Sequence, residues 1–303
     1  MALPSEDVLR ELVARYAHVL AAHGEAFEGA ELVTPTGAHF PDHFARDAAS
    51  LGRLLARVVS YTPLGEDVPL EIGFVEDAAD DGHCTSGCAR PAARIDGVQR
   101  VGDGYRVPLP VSELASPTRL VCALARGVSA AVLAEAGDEI HGEDVGAWSE
   151  VFAVASGLGI VLLEGSYVYA KSCGGPSVHR GTALSTRELA VLLALFCEVS
   201  GEKPRAARKH LGATQAEAFD EACALVRAND ELARKLREAP ELLEGGAFSF
   251  GGKRGIFARL LASSDDAPAR ESREPREPRE PREAKPASAR DEEIRALVEE
   301  ELR

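Results

Sequence analysis

The sequence is poor in aromatic residues and in positive charge. Aromatic residues make up 5% of the 303 positions, and 34 Lys and Arg stand against 49 Asp and Glu, for a net charge of −15. Proteins that bind nucleic acid present basic surfaces, often with aromatic side chains on which bases stack. No stretch of this chain combines the two, so we expect no nucleic-acid partner.

Long apolar runs are also missing. The longest uncharged run, Val151–Leu163, has 13 residues, whereas a bilayer-spanning helix needs about 20. The N-terminus lacks the charged-then-apolar layout of a secretion signal. We therefore predict a cytoplasmic protein with no membrane partner, whose six cysteines are thiols or metal ligands rather than disulfides. Three of them lie in apolar helical patterns and are expected in the core: Cys122, Cys197 and Cys223.

The patterns that are present predict a globular α+β protein. Hydrophobic residues make up 45% of the chain, which is typical of globular domains. Asp103-Gly104 between strand-type residues predicts a hairpin, and Ser185 with Glu188 forms a capping-box signature. We expect N-terminal helices, a small, mostly antiparallel sheet and a predominantly helical second half. The predicted helices are 5–24, 45–62, 118–136, 145–163, 185–201 and 213–239, with a strand at 68–77 and the hairpin at 97–110. The last helix can break near Asn229.

The C-terminal region differs in composition and sets the domain boundaries. We place one α+β domain at 1–262, followed by a disordered, charged, Pro-rich linker at 263–287 that contains Arg-Glu-Pro repeats. Residues 288–303 predict a short amphipathic helix, which is marginal on its own in water. It is either a frayed tail or a tethered helix that docks on a protein partner. The docking stripe would be Ile294, Leu297, Val298 and Leu302.

Two Gly- and Pro-containing loops carry potential metal ligands. Cys84 and Cys88 are spaced C-x₃-C in "GHCTSGCARP", and Cys173 lies in "KSCGGPSVHR". With His83 or His179 as the fourth ligand, they predict one closed structural zinc site. Unrelated loop thiols, or a redox pair of Cys84 and Cys88, remain the alternatives.

Two other motifs are weaker. "HFPDHF" places His39 and His43 four residues apart, but Pro41 between them disfavours a helix, so we expect these residues to cap or pack a loop. "GGAFSFGGKRG" (residues 245–255) resembles a phosphate-binding loop only loosely. Its Lys253 is one residue late, and Arg254 replaces the Ser or Thr that would hold Mg²⁺.

The apolar helix around residue 126 carries a family resemblance. Four segments, which together extend over roughly residues 31–225, resemble a group of bacterial zincin-like proteins of the HExxH metallopeptidase type. The resemblance implies a zincin-like fold, in which two His on one helix and a downstream acid hold zinc and a Glu acts as general base. The segments are "ELVTPTGAHFPDHF", "LVCALARGVSAAVL", "GAWSEVFAVASGLG" and "TALSTRELAVLLALF".

The chain departs from this family where the chemistry should be. The resemblance places Arg126 at the first ligand His, Gly127 at the general base, Ala130 at the second His and Glu150 at the downstream acid. We therefore expect a non-catalytic binding or scaffold protein, with Arg126 and Glu150 as an internal ion pair because a buried charge needs a partner.

Three other interpretations remain open. The segment around Arg126 can be an ordinary core helix whose arginine reaches the surface. The protein can be a hydrolase that uses groups not yet identified, with the Cys- and His-bearing loops as one candidate place for them. It can also be a structural-zinc scaffold unrelated to zincins.

Overall fold

The structure is a computed structural model that describes residues 3–45, 47–65, 67–76, 96–138, 144–172 and 175–250, with the backbone alone at 170–172 and 175–178. These residues belong to one compact unit, Met1–Ser264. The predicted linker at 263–287 and the predicted helix at 288–303, with its stripe Ile294, Leu297, Val298 and Leu302, lie outside the described residues.

Helices dominate the described part of the chain, and most begin where the sequence predicts. Ser5 caps the first helix by accepting a hydrogen bond from the Val8 N–H, and Ser185 and Glu188 form the predicted capping box. Gly201 ends its helix in the left-handed conformation. The helices are α1 Glu6–His23, α2 Ala48–Val59, α3 Pro117–Ala136, α4 Val145–Ala153, α5 Gly159–Gly165, α6 Thr186–Ser200, α7 Pro204–Arg208, α8 Ala213–Arg227 and α9 Asp230–Glu238.

The main sheet is mixed rather than mostly antiparallel as expected. Its strands are β1 Leu70–Val75, β2 Gln99–Val101 and β3 Gly104–Pro110, in the order β1-β3-β2. β2 and β3 form the predicted antiparallel hairpin, but β1 and β3 are parallel over six residue pairs. Parallel pairing needs a long connection, and the chain between β1 and β3 supplies one. A second, two-stranded hairpin, β4 Val168–Ser172 and β5 Gly175–His179, was not predicted.

Gly104 has a different role from the one that the turn signal suggested. Val101 pairs with Gly104, so the two residues of the turn are Gly102 and Asp103. Gly104 begins β3, where a Cβ atom would lie 2.1 Å from the carbonyl oxygen of Pro69. A side chain at this position would push β3 away from the segment that leads into β1.

The apolar helix predicted at 145–163 is interrupted at its centre. A π-turn at Val154–Leu158 separates α4 from α5, and Gly157 within it has φ +87°. The Gly157 carbonyl accepts the Val33 N–H at 3.0 Å, and a Cβ on Gly157 would lie 2.1 Å from the Glu31 carbonyl oxygen. The interruption therefore lets the loop after α1 approach the core helix closely.

The same helix is the only one in the described part of the chain with the length and hydropathy of a membrane span. Together, α4, the π-turn and α5 extend from Val145 to Gly165, and 89% of the most apolar stretch is buried in the fold. α3 packs against α4 and α5, and α6 packs against α5 and α8. The helix is therefore the centre of the core, which is consistent with a soluble protein.

Candidate functional site

Arg126 lies in the middle of α3 and is almost completely buried. Its side chain is 8% exposed, and its guanidinium group contacts groups from three other parts of the chain. Nη1 donates a hydrogen bond to the Gly181 carbonyl at 2.8 Å, Nε lies 3.0 Å from Oε1 of Glu150, and Nη2 pairs with the carboxylate of Asp96. The arginine is thus held inside the fold and does not extend to the surface.

Glu150, on α4, is the more deeply buried partner. Its side chain is fully shielded from solvent. Besides contacting Arg126, it accepts backbone N–H groups from Ala183 at 2.5 Å and from Leu184 at 2.8 Å. A buried carboxylate needs this set of partners because its loss of hydration is otherwise uncompensated. The predicted ion pair between Arg126 and Glu150 is confirmed.

Gly127 allows α3 to approach the sheet. A Cβ atom at this position would lie 2.2 Å from Cγ1 of Val107, which is fully buried on β3. Close packing therefore accounts for a glycine in mid-helix, which ordinarily costs about 1 kcal/mol relative to Ala. Gly146 on α4 has a similar role, since a Cβ there would lie 2.7 Å from the Asp96 carboxyl carbon.

Ala130 is the last of the predicted positions on α3, and the neighbouring Ser129 lies outside that prediction. Ala130 lies one turn after Arg126 and is 5% exposed. Ser129 is completely buried, and its hydroxyl has no hydrogen-bond partner among the described residues. Nothing in the described structure explains that serine.

A second buried ion-pair cluster adjoins the first and was not predicted. Glu113, in a short 3₁₀ helix at Val111–Ala115, accepts two hydrogen bonds from Arg119, at 3.0 and 3.1 Å. Nε2 of His179 lies 3.3 Å from Oε1 of Glu113. Burial alone would raise the pKa of Glu113, but His179 and Arg119 outweigh that effect and hold it below its ordinary value.

Members of both clusters line one narrow cleft: Asp96 and Arg126 from the first, and Glu113 and His179 from the second. Within it, Arg126 pairs with Asp96, and His179 lies 3.3 Å from Glu113. The described residues leave about 20 Å³ for a water molecule, which is room for about one. That space is too small for an organic substrate.

The predicted zinc site falls mostly outside the described residues. Cys84, Cys88, His83 and Cys173 are in that category. His179 is described and contacts Glu113 at the end of β5. β5 begins at Gly175, four residues before His179. At the rise of an extended strand, the two residues therefore lie about 13 Å apart. Among the described residues, no group of three or more His, Cys, Asp or Glu side chains could hold a metal ion.

The other predicted positions behave as packing residues. Nδ1 of His39 lies 2.9 Å from the Thr34 hydroxyl, and the Tyr61 hydroxyl donates to the His39 carbonyl. His39 thus packs a loop, as expected. Cys122, Cys197 and Cys223 are free thiols in the core, which confirms the prediction for them.

Sequence reasoning missed Asp96, Glu113 and Arg119. Asp96 lies three residues before β2. Glu113 lies in the short 3₁₀ helix, and Arg119 lies in the first turn of α3. A buried arginine implies a carboxylate partner, but it does not identify one that is 30 residues away.

Comparison with known proteins gives no relative from which to transfer a function. The chain matches no protein-family model, no curated protein and no solved structure. The function therefore has to be argued from the site itself.

Proposed function

We propose that this protein is a non-catalytic binding protein on a zincin-like α+β scaffold, in which an internal ion pair replaces a metal site. The C-terminal helix that the sequence predicts beyond the Pro-rich linker would provide its contact with a protein partner. The observation that carries the proposal is the contact between Arg126 and Glu150, 3.0 Å apart.

This contact supports the resemblance because it joins two positions that the family pattern assigns to one metal. The two residues are 24 positions apart, on different helices, and nothing in their local sequence requires them to meet. They meet with the carboxylate aimed at the residue that replaces the first ligand. That geometry fits a helix pair once arranged around a shared ion.

The same geometry is unsuited to metal-dependent hydrolysis at this position. Arginine stays charged at all relevant pH values and repels a cation. Gly127 supplies no general base, and Val107 occupies the space where a side chain would begin. Ala130 supplies no second ligand. The residues present at these positions do not fit a catalytic zinc ion.

The metal content of the full-length protein tests this half of the proposal. Zinc is measured by elemental analysis in wild type, Glu150→Gln and Cys84→Ser. We expect that Glu150→Gln does not change the zinc content. About one zinc per chain that is lost in Glu150→Gln would overturn the proposal, because the metal would then depend on the site that the ion pair is proposed to replace.

Cys84→Ser tests the remaining metal hypothesis, which is a structural zinc on the Cys-bearing loops. Zinc that is lost in this variant and retained in Glu150→Gln would assign a structural zinc to the loop with Cys84, Cys88 and Cys173. That result would leave the positions around Arg126 without a metal, as the proposal requires, and would add one structural cofactor.

The partner half of the proposal rests on the tail. The helix predicted at 288–303, with the stripe Ile294, Leu297, Val298 and Leu302, would be marginal alone, and the Arg-Glu-Pro segment would give it reach. Deletion of residues 270–303 is expected to leave the melting temperature of the core nearly unchanged and to abolish self-association or partner binding. A control chain with Leu297→Glu and Val298→Glu keeps the tail length and is expected to behave like the deletion. A large loss of core stability in either would mean that the tail is an integral part of the domain.

A further inference from the structure

A second and larger cavity lies at the start of α3, away from the charged clusters. It has a volume of about 280 Å³ and shares no lining residue with the cleft at Arg126. Its walls come from the loop after α1, from α2, α3 and α5, and from the turn before α8. Most of the lining is apolar, including Phe40, Phe44, Leu54, Val121 and Val161.

The volume indicates the size of molecule that would fit. An apolar cavity of about 150 Å³ in another protein binds benzene, and small-molecule sites generally have about 300–1,000 Å³. A volume of about 280 Å³ is therefore suited to a two-ring aromatic molecule of roughly ten to twelve heavy atoms.

One polar atom in the lining has an unmet hydrogen-bonding capacity. His210 lines the cavity, and its Nε2 atom is shielded from solvent with no hydrogen-bond partner among the described residues. Burial, together with Lys209 and His39, lowers the pKa of His210, so the neutral imidazole prevails at pH 7. A neutral imidazole can exchange one hydrogen bond with a hydroxyl or amide group.

The charges around the cavity favour a neutral ligand. The two carboxylates in the lining are Asp42 and Glu164. Asp42 pairs with Arg57 at 3.4 Å, and Glu164 accepts the Gly212 N–H at 2.7 Å. Burial raises the pKa of Glu164, which weakens its attraction for a cation. Both carboxylates would repel an anion, and none of the described residues that line the cavity is a Lys or Arg.

We propose that this cavity binds a neutral, predominantly aromatic small molecule that carries one hydroxyl or amide group for His210. This site goes beyond the proposed function and does not depend on it. The aromatic body would pack on Phe40 and Phe44, and the polar group would satisfy the otherwise unpaired Nε2 atom.

Titration calorimetry of the full chain with three probes tests the assignment. We expect 2-naphthol to bind about three- to tenfold more tightly than naphthalene, because the hydroxyl adds one hydrogen bond. We expect 2-naphthoate to bind more weakly than 2-naphthol because of the two carboxylates. No binding of either neutral probe, or a preference for 2-naphthoate, would overturn the proposal.

Three variants locate the binding. Val121→Phe fills the cavity and is expected to abolish binding of both neutral probes, whereas Leu242→Phe, at an exposed position, is a matched control that should bind as wild type does. His210→Leu is expected to bring the affinities of 2-naphthol and naphthalene within twofold of each other. Equal effects of Val121→Phe and Leu242→Phe would place the binding elsewhere and overturn the assignment. The proposal would also be overturned if the protein binds neither probe and forms a dimer that Val121→Phe dissociates. The cavity would then be assigned to a second copy of the chain.

Discussion

The Nε atom of Arg126 and the Oε1 atom of Glu150 lie 3.0 Å apart at the centre of the fold, and Glu150 has no exposure to solvent. The pair joins the middle of α3 to α4. Through the backbone N–H groups of Ala183 and Leu184, Glu150 also holds the segment that leads into α6. Three parts of the core therefore depend on one internal ion pair.

Removal of the arginine should be costly for stability. Arg126→Met keeps much of the side-chain volume but leaves Glu150 buried without its cationic partner. Breaking a buried pair in this way typically costs about 3–5 kcal/mol, and we expect a loss of that order in the free energy of unfolding, measured with urea.

The control for this prediction is an arginine in an exposed ion pair. Arg208 contacts Asp220 at 2.8 Å, and both side chains are about half exposed. Arg208→Met should therefore have little effect on the free energy of unfolding, because solvent screens an exposed pair. Similar losses in the two variants would show that the burial of Arg126 does not govern its contribution. The double variant Arg126→Met/Glu150→Gln should recover part of the stability, because it removes the uncompensated charge.

Gly127 should not tolerate even a methyl group. Alanine is the better helix former by about 1 kcal/mol, but its Cβ would lie 2.2 Å from Val107 Cγ1. We expect Gly127→Ala to lower the free energy of unfolding by about 1–3 kcal/mol through overpacking, with partial recovery in Gly127→Ala/Val107→Ala. Gly52 on α2 has open space around it, so Gly52→Ala should stabilise by up to about 1 kcal/mol. If both substitutions stabilise, close packing does not explain Gly127.

Local sequence patterns predicted the helices and caps well because their determinants lie within a few residues. The Ser185 capping box, the Gly201 terminus and the break at Asn229 each arise from contacts over at most four positions. The β2–β3 hairpin is also local. For these elements, propensity and periodicity are sufficient.

The missed features depend on contacts that are distant in sequence. β1 pairs with β3 across a long connection, and Gly157 contacts the loop after α1. Periodicity within one segment carries no information about such contacts between segments. At the site, the family pattern identified Arg126 and Glu150. It gave no information about Asp96 or about the cluster of Glu113 with His179, because those contacts form only when distant segments pack together in the folded chain.

Glu113 should contribute to stability against acid. Its pKa is lowered in the folded protein because His179 and Arg119 outweigh the effect of burial. A carboxyl with a depressed folded pKa stabilises the protein above its unfolded pKa, and this contribution is lost as the pH falls through the folded value. We expect Glu113→Gln to reduce the loss of stability below about pH 4.5, the ordinary value for this group, relative to its stability at pH 7.

The pH dependence is measured by urea unfolding from pH 7 to pH 3. Glu231→Gln is the control, since Arg234 also lowers the pKa of Glu231 but the Glu231 side chain is 58% exposed, so solvent screens the pair. This variant should depart from the wild-type profile less than Glu113→Gln does. A Glu113→Gln profile parallel to wild type would show that Glu113 binds its proton equally in the folded and unfolded states.

The three core thiols should be unreactive until the protein unfolds. Burial raises the pKa of Cys122 and of Cys197 to about 12 and that of Cys223 to about 11, and the thiolate is the reactive form. In the variant Cys84→Ser/Cys88→Ser/Cys173→Ser, we expect no rapid reaction with Ellman's reagent at pH 8 and three equivalents in urea. Cys223 is the most exposed of the three, at 6%, so any slow native reaction should disappear when Cys223→Ser is added. Rapid native labelling that survives this addition would place Cys122 or Cys197 outside the core.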